Sequence, residues 1–95
     1  MEFEWDEAKA ETNWRKYGVC FAEAIAVFED DRRRLFVDNR FDYGEERLVE
    51  LGMADGKLLA VTYVVRGDKV RLISARAASR RERAIYGNGS VQARP

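Results

Sequence analysis

Two tight-turn dipeptides, Asp55-Gly56 and Gly67-Asp68, bracket ten residues and constrain this chain more than any other feature. Glycine and aspartate supply the positive φ that two-residue hairpins require. Arg47 to Met53 alternates before the first turn, and Lys69 to Ala75 alternates after the second. Between them Leu58 to Val65 is apolar on both faces, as a covered central strand is. The reading is a three-stranded antiparallel meander. With the dipeptides as turn centres, Glu50, Val61 and Ser74 form one cross-strand row. Gly52, Leu59 and Arg76 form the next row on that face, and Arg47, Val64 and Arg71 one on the other.

The remaining segments complete an α+β chain. Phe3-Glu4-Trp5 reads as a short strand. Asp6 is an N-cap for a helix to about Tyr17, and Gly18 closes it. Cys20-Phe21-Ala22-Glu23 has capping-box spacing, with cysteine where serine usually stands. Phe21, Ala24, Ile25 and Phe28 then form a helical stripe that stops at Phe28 or Glu29. Leu35-Phe36-Val37 is a strand, and Asp38 to Glu46 a polar loop. Ser79 caps a last helix to about Tyr86, with Glu82 completing an S-x-x-E box. The predicted order is β-α-α-β-β-β-β-α with an antiparallel sheet. One domain is expected over 1–86, with a flexible tail at 87–95.

Composition removes several chemistries. The chain has no histidine, so no His general base and no HExxH zinc helix. Its single cysteine, Cys20, excludes an internal disulfide and CxxC zinc sites. The Asp38–Glu46 loop fails the calcium pattern, since Arg40 and Tyr43 hold its third and sixth positions. No metal and no cofactor are expected. No apolar run reaches the ~20 residues of a spanning helix, and Met1-Glu2-Phe3-Glu4 lacks a basic leader. The expectation is a soluble cytoplasmic protein without a membrane partner.

The net charge is zero, yet residues 1–31 carry −6 and residues 51–95 carry +6. Most of the bases are arginine, whose planar fork suits phosphate. A basic half of this kind suits an anionic partner, nucleic acid first. Arg76 ends a strand, and Arg80, Arg81 and Arg83 open a helix, where free N–H groups also favour phosphate. The alternative is a solvated basic helix face. Glu50, Ser74 and Arg76, close in the predicted register, could supply a base and charge stabilisation for attack by an RNA 2′-OH. Alternatively, Glu50 merely pairs with Arg76. Lys9, beside Trp5 and Trp14, is a further proton-transfer candidate.

Phe3-Glu4-Trp5-Asp6-Glu7-Ala8-Lys9-Ala10, Asn13, Gly18-Val19 and Phe21-Ala22-Glu23-Ala24 resemble the opening of the BrnT toxins. Arg66 to Arg76, followed by Arg80-Arg81-Glu82-Arg83 and Tyr86, resembles that family's closing signature. The resemblance implies a RelE-like fold and a metal-independent ribonuclease of a type II toxin–antitoxin pair. It also implies a BrnA-like, ribbon-helix-helix antitoxin, through which alone the toxin would meet DNA. In such a site Arg76 and Arg80 would hold the scissile phosphate. Lys9, Glu50 or Tyr86 would move protons, and Arg66, Arg71, Ser74, Arg81 and Arg83 would bind RNA. The family usually reads Lys-His-Gly-Val-Ser where this chain has Lys16-Tyr17-Gly18-Val19-Cys20, and often has histidine where Tyr63 stands. A second reading is therefore a catalytically weak or inactive co-repressor acting with the antitoxin.

Overall fold

The computed structural model describes residues 1–38 and 45–87. Most of the expected polar loop and most of the expected tail lie outside these residues. Along the chain come β1 (Glu2–Glu4), α1 (Glu7–Tyr17), α2 (Phe21–Ala24), a 3₁₀ turn (Ile25–Glu29), β2 (Arg34–Asp38), β3 (Arg47–Ala54), β4 (Lys57–Arg66), β5 (Lys69–Ala77) and α3 (Arg80–Gly87). Among the described residues no helix is long and apolar enough to cross a membrane.

Local chemistry accounts for the helix ends. The Asp6 carboxylate accepts from the N–H groups of Ala8 and Lys9, at 2.8 and 3.4 Å. Gly18 closes α1 at φ +68°, where a side chain would be strained. Cys20 occupies the cap position of α2 but its thiol makes no capping hydrogen bond. The predicted second helix is one α-turn that tightens into the 3₁₀ turn ending at Glu29.

The strand order is β1-β5-β4-β3-β2. The sheet is mixed, which corrects the antiparallel expectation. β1 runs parallel to β5, with Phe3 opposite Val70, while the other three pairings are antiparallel. A three-residue strand carries no sequence signal for its direction; the helical connection after it lets the chain return on either side.

The Asp55-Gly56 turn sets the β3–β4 register as expected, with Glu50 opposite Val61 and Gly52 opposite Leu59. The β4–β5 register departs from expectation halfway along. Tyr63 faces Leu72 but Thr62 faces Ser74, so Ile73 is an extra residue, a β-bulge. Beyond it Val61 faces Ala75, and Arg76 lies opposite Ala60 rather than Leu59. The bulge therefore turns Ser74 and Arg76 to the face opposite Glu50.

That face difference organises the core. One face packs Leu59, Val61, Tyr63, Leu72 and Ala75 beneath Phe21, Ala24 and Val27. Helix and sheet approach so closely there that a Cβ on Gly52 would lie 2.8 Å from Val27 Cγ1 and 3.0 Å from its carbonyl oxygen. The other face packs Leu51, Leu58 and Ala60 against Ala78, Ile85 and Tyr86.

Candidate functional site: the arginine-bearing face

Pleating and register place four half-buried arginines on the α3 side of the sheet. Arg34 comes from β2, Arg47 from β3, and Arg71 and Arg76 from β5. Ser74 and Thr62 lie among them. Beside α3 this face opens into a groove of about 420 Å3. Phe36, Val49 and Ile85 form its apolar wall, while Arg76, Arg81 and Glu82 form its polar wall.

The capping box at Ser79 forms as expected. Ser79 Oγ accepts from the Glu82 N–H at 3.1 Å, and the Ser79 N–H donates to Glu82 Oε1 at 2.8 Å. The same carboxylate receives the Arg76 fork, Nη1 to Oε1 at 2.7 Å and Nη2 to Oε2 at 2.9 Å. Hydrogen bonding from Arg76 is the main reason that the Glu82 carboxyl falls to about 2, with the Ser79 bonds adding to it against burial. A bidentate pair of this kind is geometrically specific. Arg76 thus stands near the end of β5 on the face opposite the expected one, with its fork turned to Glu82. Arg80, Arg81 and Arg83 are all exposed.

The other expected site residues are dispersed. The grouping of Glu50 with Ser74 and Arg76 does not form, because the sheet itself separates them. Glu50 is 5% exposed. It accepts from Tyr63 Oη at 2.8 Å and lies 3.6 Å from Arg33 Nε. Burial pushes its carboxyl up despite both partners. Burial and the Glu50 carboxylate push the Tyr63 phenol up. Tyr86 is drawn away from Arg76's fork, donating instead to Asp30 Oδ2 at 2.6 Å, with the Arg32 guanidinium 6.0 Å above its ring. Burial would raise the Asp30 carboxyl, but hydrogen bonds from Tyr86 and the N–H groups of Met53 and Arg32 outweigh it. Arg66 pairs with Glu45 at 3.1 Å, and Arg71 with Glu4 at 3.2 Å.

Lys9 and Ser74, by contrast, come together. Both line a groove of about 350 Å3 at the sheet edge, with Lys16, Thr12 and the bulged Ile73. Sequence reasoning missed Glu82 as a site residue because the capping box already accounted for its carboxylate. It also missed Arg34, although Arg34-x-Phe36-x-Asp38 has the two-residue period that places it on one face with Phe36, and it placed Arg47 in a row with Val64 and Arg71 without reading it as a site residue. Among the described residues no three Asp, Glu or Cys side chains converge as metal ligands would.

A sheet with four arginines on one face and an arginine-bearing helix at its rim is a surface suited to a polyanion. The family model described as the ribonuclease toxin BrnT of type II toxin–antitoxin systems matches residues 5–82, and the chain belongs to that family. The family is one of ribonuclease toxins, and its type II toxin–antitoxin character implies an antitoxin partner. No curated protein matches the chain.

Proposed function

We propose that this chain cleaves RNA on its arginine-bearing face without a metal or cofactor, thereby inhibiting translation in the cytoplasm. A BrnA-like ribbon-helix-helix antitoxin silences it and supplies its only route to DNA. The observation that carries this reading is the convergence of Arg34, Arg47, Arg71 and Arg76 on one face, beside an apolar-walled groove. Such a groove suits a base, and the cations suit the phosphates beside it.

Cleavage by the neighbouring 2′-OH puts extra negative charge on the phosphate and requires one proton removed and one delivered. Arg76 and Arg80 stabilise that charge. Arg66, Arg71, Ser74, Arg81 and Arg83 hold the strand. Lys9, lining the edge groove with Ser74, is the proton carrier the geometry favours. Glu50 faces the opposite side, and Tyr86 is held by Asp30. A phosphate that reaches Arg76 competes with Glu82 for the same fork, so binding loosens the first turn of α3.

The test is RNA cleavage by purified protein in EDTA. Arg76→Ala is expected to reduce cleavage ~10²-fold, the scale for losing one group that stabilises transition-state charge. RNA binding should fall far less. Arg83→Ala should weaken binding modestly and flatten its salt dependence. The engagement of both terminal Arg76 nitrogens by Glu82 favours a second reading, an inactive co-repressor. Wild type that cuts nothing, even with ribosomes present, would establish that second reading instead.

A further inference from the structure

The two outer strands of the sheet differ in how they are protected. β1 is three residues long and carries Glu2 and Glu4. Past its end, the Asn13 carboxamide covers β5 by bonding both the N–H and the carbonyl of Ala75. Short charged edges and covered edges resist further pairing. β2 is longer, and its two charges, Arg34 and Asp38, have opposite signs. It is five residues of unbroken ladder with no proline and no bulge. Among the described residues no strand lies on its outer side. Leu35 and Val37 stand 56% and 51% exposed along it.

We propose that β2 pairs antiparallel with β2 of a second copy of this chain. Its sequence, Arg34-Leu35-Phe36-Val37-Asp38, is self-complementary in that register. About a two-fold axis through Phe36, Arg34 of each copy lies opposite Asp38 of the other. Leu35 lies opposite Val37, and Phe36 opposite its own copy. Opposite charges, branched aliphatics and aromatics are all favourable cross-strand pairs.

The pleat sorts these pairs cleanly. Leu35 and Val37 share the face of Glu50 and Leu48, so four exposed apolar side chains cover one another there. On the other face the two Phe36 rings meet between two ion pairs. The contact is isologous, hence closed, and does not propagate into a fibre. It joins two five-stranded sheets into one, with both arginine-bearing faces on the same side.

Arg34 and Asp38 also interact within their own chain, so the test uses reciprocal exchange. The isolated chain is followed by sedimentation over a dilution series, with circular dichroism reporting the fold. Wild type should sediment at twice its 11.0 kDa mass. Arg34→Asp alone and Asp38→Arg alone each place like charges opposite one another twice, and should weaken the dimer about tenfold. The double exchange Arg34→Asp with Asp38→Arg is again self-complementary and should restore it. Val37→Lys, on the apolar side, reads the same interface should a charge variant lose its fold. A monomeric wild type, as expected if this edge serves only the antitoxin, would overturn the proposal. So would a dimer indifferent to these folded variants, or one that the double exchange fails to restore.

Discussion

The Asn13 side chain takes the place of a neighbouring strand for Ala75. Its Oδ1 accepts from the Ala75 N–H at 3.0 Å and its Nδ2 donates to the Ala75 carbonyl at 2.8 Å, while also donating to the carbonyl of Val19 at 3.0 Å. One buried amide thus ties α1, the segment before α2 and β5 together. Asn13→Ala leaves buried backbone groups without partners and should cost about 2–4 kcal/mol in urea unfolding. Asn13→Asp keeps the acceptor but loses both donated bonds, and should be as harmful at neutral pH. A loss under half a kilocalorie for either would show that water replaces the amide.

The Arg76–Glu82 pair should make stability depend on acid. The Glu82 carboxyl, ordinarily at 4.5, sits at about 2 in the fold, chiefly through its bonds from Arg76. A lowered carboxyl contributes stability above its unfolded value, and that contribution drains away as pH falls through the folded one. The stability gap between wild type and Glu82→Gln should be fully open above 4.5 and close towards 2. A gap that is unchanged across this window would break the link.

Glu50 works in the opposite sense. Its carboxyl is raised by burial, so folding is favoured most below the unfolded value of 4.5 and loses stability as pH rises through the folded value. Glu50→Gln keeps an acceptor for Tyr63 and removes that loss. Its stability at neutral pH should match or exceed wild type. RNA cleavage should be unchanged, because Glu50 faces the helices. Reduced cleavage in a folded Glu50→Gln protein would return Glu50 to the site.

At the start of α2 the Cys20 thiol leaves a capping position unused. Serine there accepts a hydrogen bond that cysteine accepts poorly, so Cys20→Ser should add about 0.5–1 kcal/mol. Thermal unfolding measures it directly; a lower midpoint would mean that the thiol's packing outweighs a cap.

Turn chemistry made the meander legible, and Asp55-Gly56 as a turn centre assigned Glu50 and Gly52 their partners in β4. Legibility ended at Ile73. A bulge consumes a residue without any change in composition, so Ser74 and Arg76 moved to the other face with no local sign. The orientation of β1 was equally silent, since Glu2–Glu4 pairs too few residues to leave a pattern. The arginines were visible as residues that suit phosphate. The row of Arg47, Val64 and Arg71 was legible too, but the arrival of Arg34 and Arg76 on the same face was not, because it depends on the β2 pairing and on the bulge. Glu82 was read correctly as a cap, yet its bond to Arg76 crosses from helix to strand, beyond the reach of local spacing.

The bulge at Ile73 also changes what a single-residue deletion means. In an unbroken strand, losing one residue inverts every side chain beyond it. Here the loss of Ile73 would heal the ladder, leaving Ser74, Ala75 and Arg76 opposite the partners they already have. Straightening the strand without losing a residue would do the reverse, setting Ser74 opposite Val61 and Arg76 opposite Leu59, beneath the helices. The side on which Arg76 emerges is thus decided by parity, odd or even, in the number of residues that pair in the ladder between it and the Gly67 turn.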